Sequence, residues 1–575
     1  MKIVSFSPFG YEGSLVTIEV DLRRGIPAVD IVGLADNAVK ESRERMKSAI
    51  INSGFDFPKE RVLISLAPSD LKKEGAGFDL ALALAILEAQ KSLSHTEDAV
   101  LVMAELELSG HLRPVRGVHA AVSTAKEAGV KFCIVSKENE VEAHGAMDGV
   151  FACSNLKDAF EAMCKIEEEI SRVENENVLF TCSLLDSHTD FHSDLCSDSH
   201  LDARLDSGSD LCSDTRSDLH FDSRSADGAF GRSFSVEFPP VEEGEDFAQV
   251  ENQDFLIRGL QIAASGRHNV ITFGPPGCGK TLALQRYKSL LPYLTDEEAR
   301  SVTRIYSLAG LIGQDVSLIK KRPFRMPHQS ASLEGMCGGG HNCMPGEISL
   351  AHNGVLFLDE ASEFKSGVLQ MLRVPMEQHS LTLSRAGRST TYPANFQLLL
   401  ATNPCPCGNF GSSDKICLCS MRSVEQYWKK FSAPLLDRID IRIDLTNSNS
   451  NGSADTITPS KTHAYIKTDG SASHSSEELR KDIAKAIQTQ MNRQGKYNSY
   501  LTPEEINYFC KLNEECSSFL QESASQMNFS TRAIHSSIKL ARTIADMAGS
   551  YEIRLCDLKE AMEYRKNEGG LSLCF

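Results

Sequence analysis

No apolar run in this chain is longer than Leu80–Leu87, which falls well short of the length needed to cross a bilayer as a helix. Membrane-spanning helices, and a membrane partner, are therefore not expected. Positive charge is also scarce: 60 Lys and Arg stand against 78 Asp and Glu, a formal net charge of −18. The deficit is uneven, because residues 171–250 carry 18 acidic and 5 basic side chains and leave a net charge of only −5 for everything else. Partners must then be sought in local patches rather than in the overall balance. Regular spacing is missing from the 17 cysteines, and no signal-peptide pattern opens the sequence. Reduced thiols in a cytoplasmic protein are expected, not a disulfide framework. A chain of 575 residues is too long for one core, so three or four domains are expected.

The sequence does contain Gly274-Pro275-Pro276-Gly277-Cys278-Gly279-Lys280-Thr281, entered from the apolar run Val270-Ile271-Thr272-Phe273 and followed by the helical pattern Leu282–Leu291. A glycine-rich turn between strand and helix points successive backbone N–H groups at an anion, so a phosphate chain is expected to bind there. Lys280 would reach the β- and γ-phosphates of ATP, and the Thr281 hydroxyl would help to hold Mg²⁺. Downstream, Gly354-Val-Leu-Phe-Leu-Asp359-Glu360 reads as an apolar strand ending in two carboxylates. At the C-terminal edge of a parallel sheet, Asp359 would face Mg²⁺ and Glu360 would polarise the attacking water. A third strand, Gln397–Thr402, delivers Asn403 to orient that water against the γ-phosphate.

Residues 1–168 alternate strand and helix signals: strands at Leu15–Leu22, Val62–Leu66, Val100–Leu106 and Phe132–Val135, helices at Val39–Ile51, Phe78–Glu88 and Val118–Ala128. A compact α/β domain is expected there. From about 169 to 247 the composition changes, with Asp every four residues from Asp186 to Asp222. On a helix these like charges would stack at i,i+4, so a disordered linker is expected. Its His188, His192, His200, His220, Cys196 and Cys212 offer at most weak metal chelation. The nucleotide core follows at 248–446, a Ser/Gly-rich flexible loop at 447–476, and a helical lid at 477–575. The lid helices are expected at Glu477–Arg493, Pro503–Cys510, Glu514–Met527, Thr531–Ala548 and Leu555–Arg565, with Thr502 capping the second.

The order P-loop, Asp-Glu strand, strand-Thr-Asn is that of an AAA+ ATPase. Arg322-Pro-Phe-Arg-Met-Pro-His328, Gly338-Gly-Gly340, Pro345-Gly-Glu-Ile-Ser-Leu-Ala-His-Asn-Gly354 and Pro434-Leu-Leu-Asp-Arg-Ile-Asp440 resemble the magnesium-chelatase-like AAA+ group. With Phe529-Ser-Thr-Arg-Ala-Ile-His535 and Ala541–Asp546 added, the chain resembles the YifB/ComM family over nearly everything but the Asp repeat and residues 447–476. The resemblance implies that Arg438 is an arginine finger acting on a neighbouring subunit's ATP and that Arg532 is the sensor-2 arginine of the lid. It further implies a homo-oligomeric ring, a hexamer, working on single-stranded or branched DNA as a branch-migration helicase in recombination during natural transformation.

The stretch Ser65–Ala81 resembles the proteolytic domain of Lon, in which a nucleophilic Ser stands two residues after an acidic-Gly pair. Glu74-Gly75 matches that pair, but Gly77 takes the place of the Ser, and Ser65 and Ser69 do not fit. A scaffold without proteolytic activity is expected. Leu381–Ser384 and Thr390–Pro393 read as a hairpin carrying Arg385 and Arg388; the related minichromosome-maintenance helicases carry a basic residue into the pore at this place, so both arginines are candidates for DNA phosphates. A solvated turn is the alternative. Cys405, Cys407, Cys417 and Cys419 place four thiols in one loop, a candidate Zn²⁺ site despite the unusual C-x-C spacing. A magnesium-chelatase-type motor remodelling a protein partner is the other functional reading, a Lon-like protease is disfavoured by Gly77, and a non-hydrolysing scaffold by Glu360.

Overall fold

The computed structural model describes residues 1–186, 235–446 and 475–566, apart from 35, 70, 72, 74, 92–97, 251–252, 314, 386–387 and 412–414. The Asp repeat beyond Asp186, the Ser/Gly-rich stretch as far as residue 474, and Glu74 lie outside these residues. Contacts divide the chain into two compact units, one of Met1–Met163 with Ser235–Phe575 and one of Cys164–Phe234.

The larger unit holds two principal sheets. The first has seven strands in the order Val29–Val32, Arg61–Ala67, Ser14–Arg23, Lys2–Ser7, Ala99–Met103, Phe132–Ser136, Val150–Cys153. Its centre, Lys2–Ser7, is antiparallel to Ser14–Arg23 and parallel to Ala99–Met103. Sequence patterning misses this central strand, because buried Ser5 and Ser7 blur its apolar character. Helix Asp79–Lys91 is apolar all round and buried from Asp79 to Leu87, as a helix enclosed by core must be. Its first carboxylate, Asp79, is paired with Arg45 at 2.8 Å.

The second sheet has five parallel strands in the order Phe324–Arg325, Val355–Leu358, Gln397–Thr402, Val270–Phe273, Ile441–Asp444. Every residue of Val270–Phe273, Val355–Leu358 and Gln397–Thr402 is buried, the continuous apolar character that parallel strands covered on both faces require. Phe273, Leu358 and Leu400 share one core with Trp428, the chain's single tryptophan. The helices after residue 474 run Ser476–Gln494, Pro503–Phe509, Glu514–Gln526, Thr531–Ala548 and Leu555–Glu563. Pro503–Phe509 begins with the expected Thr502 cap, completed by Glu505 into a capping box.

The expected linker differs from the structure at both ends. Helix Leu156–Asp186 runs past residue 168, with Ile166 and Ile170 buried. At the other end Phe247 is buried, and Asp246 accepts the backbone N–H of Ser476 at 2.8 Å. Regular structure therefore reaches further into both ends of this stretch than its polar composition suggests.

Candidate nucleotide site and its surroundings

The register sets the site. Phe273, the last residue of the P-loop strand, lies level with Thr402 on one side and Asp444 on the other. Gly274 and Asn403 therefore leave the same C-terminal edge side by side, where parallel sheets bind ligands. Gly277 and Gly279 have φ of +84° and +82°, left-handed values that let the turn direct its N–H groups inward and that a side chain would strain. The Gln253 side-chain amide donates to the Cys278 carbonyl and braces the loop from behind. Lys280 is buried, and its ammonium donates to the carbonyls of Gly274 at 2.6 Å and Pro275 at 2.9 Å. The cation thus sits on the loop's own oxygens, within the turn a phosphate chain would enter.

Thr281 Oγ1 donates to Asp359 Oδ1 at 3.3 Å, which brings together a hydroxyl and a carboxylate suited to a hard divalent cation. The donor set fits Mg²⁺, which takes one or two protein oxygens and completes its shell with phosphate and water. Glu360 follows with φ +48° and ψ +46°, a left-handed conformation rare for a non-glycine residue. Its backbone N–H donates to Asp359 Oδ1 at 2.9 Å, and its side chain is exposed at the same edge. Such strain collects at functional turns, where surrounding structure imposes it. Tyr427 ties the turn after Glu360 to the neighbouring strand, donating to Ser362 Oγ at 2.7 Å and lying 3.0 Å from Thr402 Oγ1.

Arg438 stands at the other end of the sheet. Asn269, directly before the P-loop strand, donates through its side chain to the Arg438 carbonyl at 3.2 Å and accepts from the N–H groups of Asp440 and Ile441. Four residues of strand, roughly 13 Å, therefore lie between Arg438 and its own P-loop. Arg438 pairs with Glu377 Oε1 at 2.6 Å, and Arg532, at the start of helix Thr531–Ala548, donates to the same oxygen. The Arg438 hydrogen bond, with that of Arg532, holds the Glu377 carboxyl below its ordinary value. A cavity of about 510 Å³ opens beside the pair, lined by the further cations Arg267 and Lys539.

The structure thus brings Thr281, Lys280, Asp359, Glu360 and Asn403 to one edge and places Arg438 with Arg532 at the opposite one. Sequence reading missed Glu377, Arg267 and Lys539. Glu377 lies in Val374-Pro-Met-Glu-Gln-His379, a stretch without motif or periodicity to single it out.

Two other predicted groups also assemble. The Sγ atoms of Cys405, Cys407 and Cys417 are 3.3, 3.5 and 3.7 Å apart in pairs, and with Cys419 all four lie within 4.8 Å of one another. Zn–S bonds of about 2.3 Å at tetrahedral angles call for sulfur separations of about 3.8 Å, so the four thiols are close enough to hold zinc after shifts of at most about 1 Å. Trp428 Nε1 donates to the Pro404 carbonyl at 3.0 Å and anchors the start of this loop in the core. The hairpin is formed by Ser380–Arg385 and Arg388–Pro393, with Arg385 opposite Arg388. The ladder extends further than expected and draws both arginines into strand ends; Ala386 and Gly387 are outside the described residues. Arg385 is exposed and Arg388 half-buried. Gly77 lies in a 3₁₀ turn, Ala76–Phe78, where a built Cβ would find its nearest neighbour, Val115 Cγ1, at 3.9 Å.

A five-stranded parallel sheet presenting a P-loop, an Asp-Glu pair and a Thr-Asn end at one edge defines a P-loop ATPase of the AAA+ type. Residues 246–452 match the family described as magnesium chelatase, subunit ChlI; residues 18–139 match subunit ChlI of Mg-chelatase, and residues 473–565 its C-terminal part. The chain is 34% identical over 568 residues to the competence protein ComM of Haemophilus influenzae, covering 98% of this chain and 97% of that one. It is 34% identical over 558 residues to the uncharacterized protein YifB of Escherichia coli, covering 97% and 95%. Lon protease of Methanosarcina barkeri is 29% identical over 145 residues, 24% of this chain and 18% of its own. The chain belongs to the YifB/ComM family of magnesium-chelatase-like AAA+ ATPases. Among the described residues no helix is long and apolar enough to cross a membrane.

Proposed function

We propose that the chain is the subunit of an ATP-hydrolysing ring that moves on DNA, a branch-migration-type helicase serving recombination, in keeping with the competence role in the name of its Haemophilus relative. The observation that carries the ring is the distance between Arg438 and its own P-loop. An arginine held at the far edge of the sheet can reach a γ-phosphate only on a neighbouring copy, and Arg532, sharing Glu377 with it, faces the same neighbour.

Within each subunit, the loop Gly274–Gly279 cradles the phosphates and Lys280 moves from the loop carbonyls to the β- and γ-phosphates. Bound Mg²⁺ supplies charge neutralisation, held by Thr281 and Asp359. Glu360 accepts a proton from the attacking water, and Asn403 orients it. Across the interface, Arg438 and Arg532 meet the charge that develops on the transferring phosphoryl group. Arg385 and Arg388 at the hairpin end contact DNA phosphates, and Cys405, Cys407, Cys417 and Cys419 hold a structural Zn²⁺.

The test is the ATPase rate with and without single-stranded and branched DNA. Stimulation of several-fold by either substrate supports the DNA motor. A rate indifferent to both would overturn it in favour of a chelatase-type motor acting on a protein partner.

A further inference from the structure

We propose that the loop between the first two strands, residues 8–13, is a positioning element that sets the orientation of the hairpin arginine Arg388 and so gives the N-terminal sheet a part in gripping DNA. The proposal rests on the reading of the hairpin as a DNA contact and assigns Phe9 a role within it.

A two-stranded ribbon standing alone is marginal in water and needs a surface to pack on. Here that surface comes from the other end of the chain. Side chains on a strand alternate between faces, so 388, 390 and 392 of Arg388–Pro393 share one face and 389 and 391 share the other. Thr390 and Tyr392 are buried, whereas Ser389 and Thr391 are exposed. The buried face meets three consecutive residues of the loop. Phe9 places its ring under the Arg388 guanidinium, 3.6 Å from the ring centroid. Gly10 lies against Thr390 with φ +60°, so close that a Cβ built on it would stand 2.1 Å from Thr390 Oγ1. Its N–H donates to the Asn342 carbonyl at 2.9 Å. Tyr11 donates its backbone N–H to Thr390 Oγ1 at 3.0 Å and sets its ring edge-on to Tyr392, with centroids 5.8 Å apart.

The loop itself is held from behind. Arg304, on helix Asp296–Ala309, donates to the carbonyls of Tyr11 at 3.1 Å and Glu12 at 3.2 Å. Phe9 is therefore a fixed platform rather than a loose tip. A guanidinium stacked on an aromatic face keeps its N–H donors in the plane of the group, free to fork onto a phosphate. Phe9 thus fixes the plane of Arg388 without consuming its donors, and the hairpin packs on the N-terminal sheet at this contact.

The experiment uses the full chain with Phe9→Leu, Phe9→Trp and Arg388→Ala, titrated with a fluorescently labelled oligothymidylate at several salt concentrations, melting temperatures being recorded for each. Arg388→Ala should weaken binding and flatten its salt dependence, as loss of a phosphate contact does. Phe9→Leu, which removes the ring and keeps apolar bulk, should weaken binding by about two- to fivefold, the range of a cation–π contact that keeps access to water. Phe9→Trp should bind as tightly as the parent. If Arg388→Ala weakens binding and Phe9→Leu does not, the positioning role falls while the hairpin reading stands. Equal losses in Phe9→Leu and Phe9→Trp would show packing alone at work and overturn it likewise. An Arg388→Ala variant that binds as the parent does would remove the hairpin reading and the proposal together.

Discussion

Glu360 owes its place to one backbone angle. A left-handed φ of +48° turns the chain sharply after Asp359, so that the two adjacent carboxylates do not share one direction. Asp359 stays against Thr281, and Glu360 reaches out from the edge. Glu360→Gln should bind ATP normally and lose about 10²–10⁴ in turnover, because the cradle survives while the proton acceptor does not. Lys280→Ala should lose binding itself. Affinity for a fluorescent ATP analogue and steady-state hydrolysis separate the two; a Glu360→Gln variant with parental turnover would refute the assignment.

Single elements carry two further expectations. Helix Val118–Glu127 buries His119, whose ring nitrogens have no hydrogen-bond partner among the described residues. Burial, reinforced by nearby Arg304, lowers its pKa from 6.5 to about 4. The unfolded chain then takes up the proton first, so this contribution is complete above pH 6.5 and lost as pH falls towards 4. Buried His352 behaves alike, its pKa lowered to about 4 chiefly by burial. The melting temperature should decline across that window, and His119→Phe should flatten part of the decline. An unchanged slope would show that His119 is not titrating. Asp440, held at about 2 by His268 against its own burial, acts in a separate window below its ordinary 3.8. The cysteine loop makes the other expectation. Purified protein should carry stoichiometric zinc by elemental analysis, and Cys417→Ser should lose it and melt earlier. Metal-free protein with an unaltered melting curve would leave the four thiols without a ligand.

At the scale of the whole molecule the proposed ring would join the two edges of one sheet, the P-loop of one copy facing Arg438 of the next. Fingers acting across an interface contribute roughly 10³–10⁵ in rate. Arg438→Ala should abolish most hydrolysis and keep nucleotide affinity, and mixing it with Lys280→Ala should restore part of the activity. A sound P-loop in one variant can then sit beside a sound finger in the other. Hydrolysis measured across mixing ratios, with mixed rings verified by native mass spectrometry, decides the matter: no recovery at any ratio would rule out action in trans. The same two-sheet architecture joins the N-terminal half to the ATPase core through Tyr11, Arg304 and the hairpin.

What the sequence determined by itself is what short-range forces dictate. The P-loop needs glycines at left-handed turns directly after an apolar strand, so Gly274–Thr281 was legible as it stands, and so was the Asp359-Glu360 end of the next buried strand. Helix Pro503–Phe509 was equally plain, because a cap, a proline and acids in the first turn act within a few residues. Thiols close in sequence could be seen to gather, though not that all four would lie within 4.8 Å of one another. Tertiary structure decided the rest. Lys2–Ser7 becomes the centre of a sheet only through partners on both sides. Glu377 gains meaning from arginines 61 and 155 positions away, and Phe9 from one 379 positions away. No periodicity or local preference encodes such pairs. They arise when packed sheets bring distant segments within reach, and the sequence carries only the side chains that wait for it.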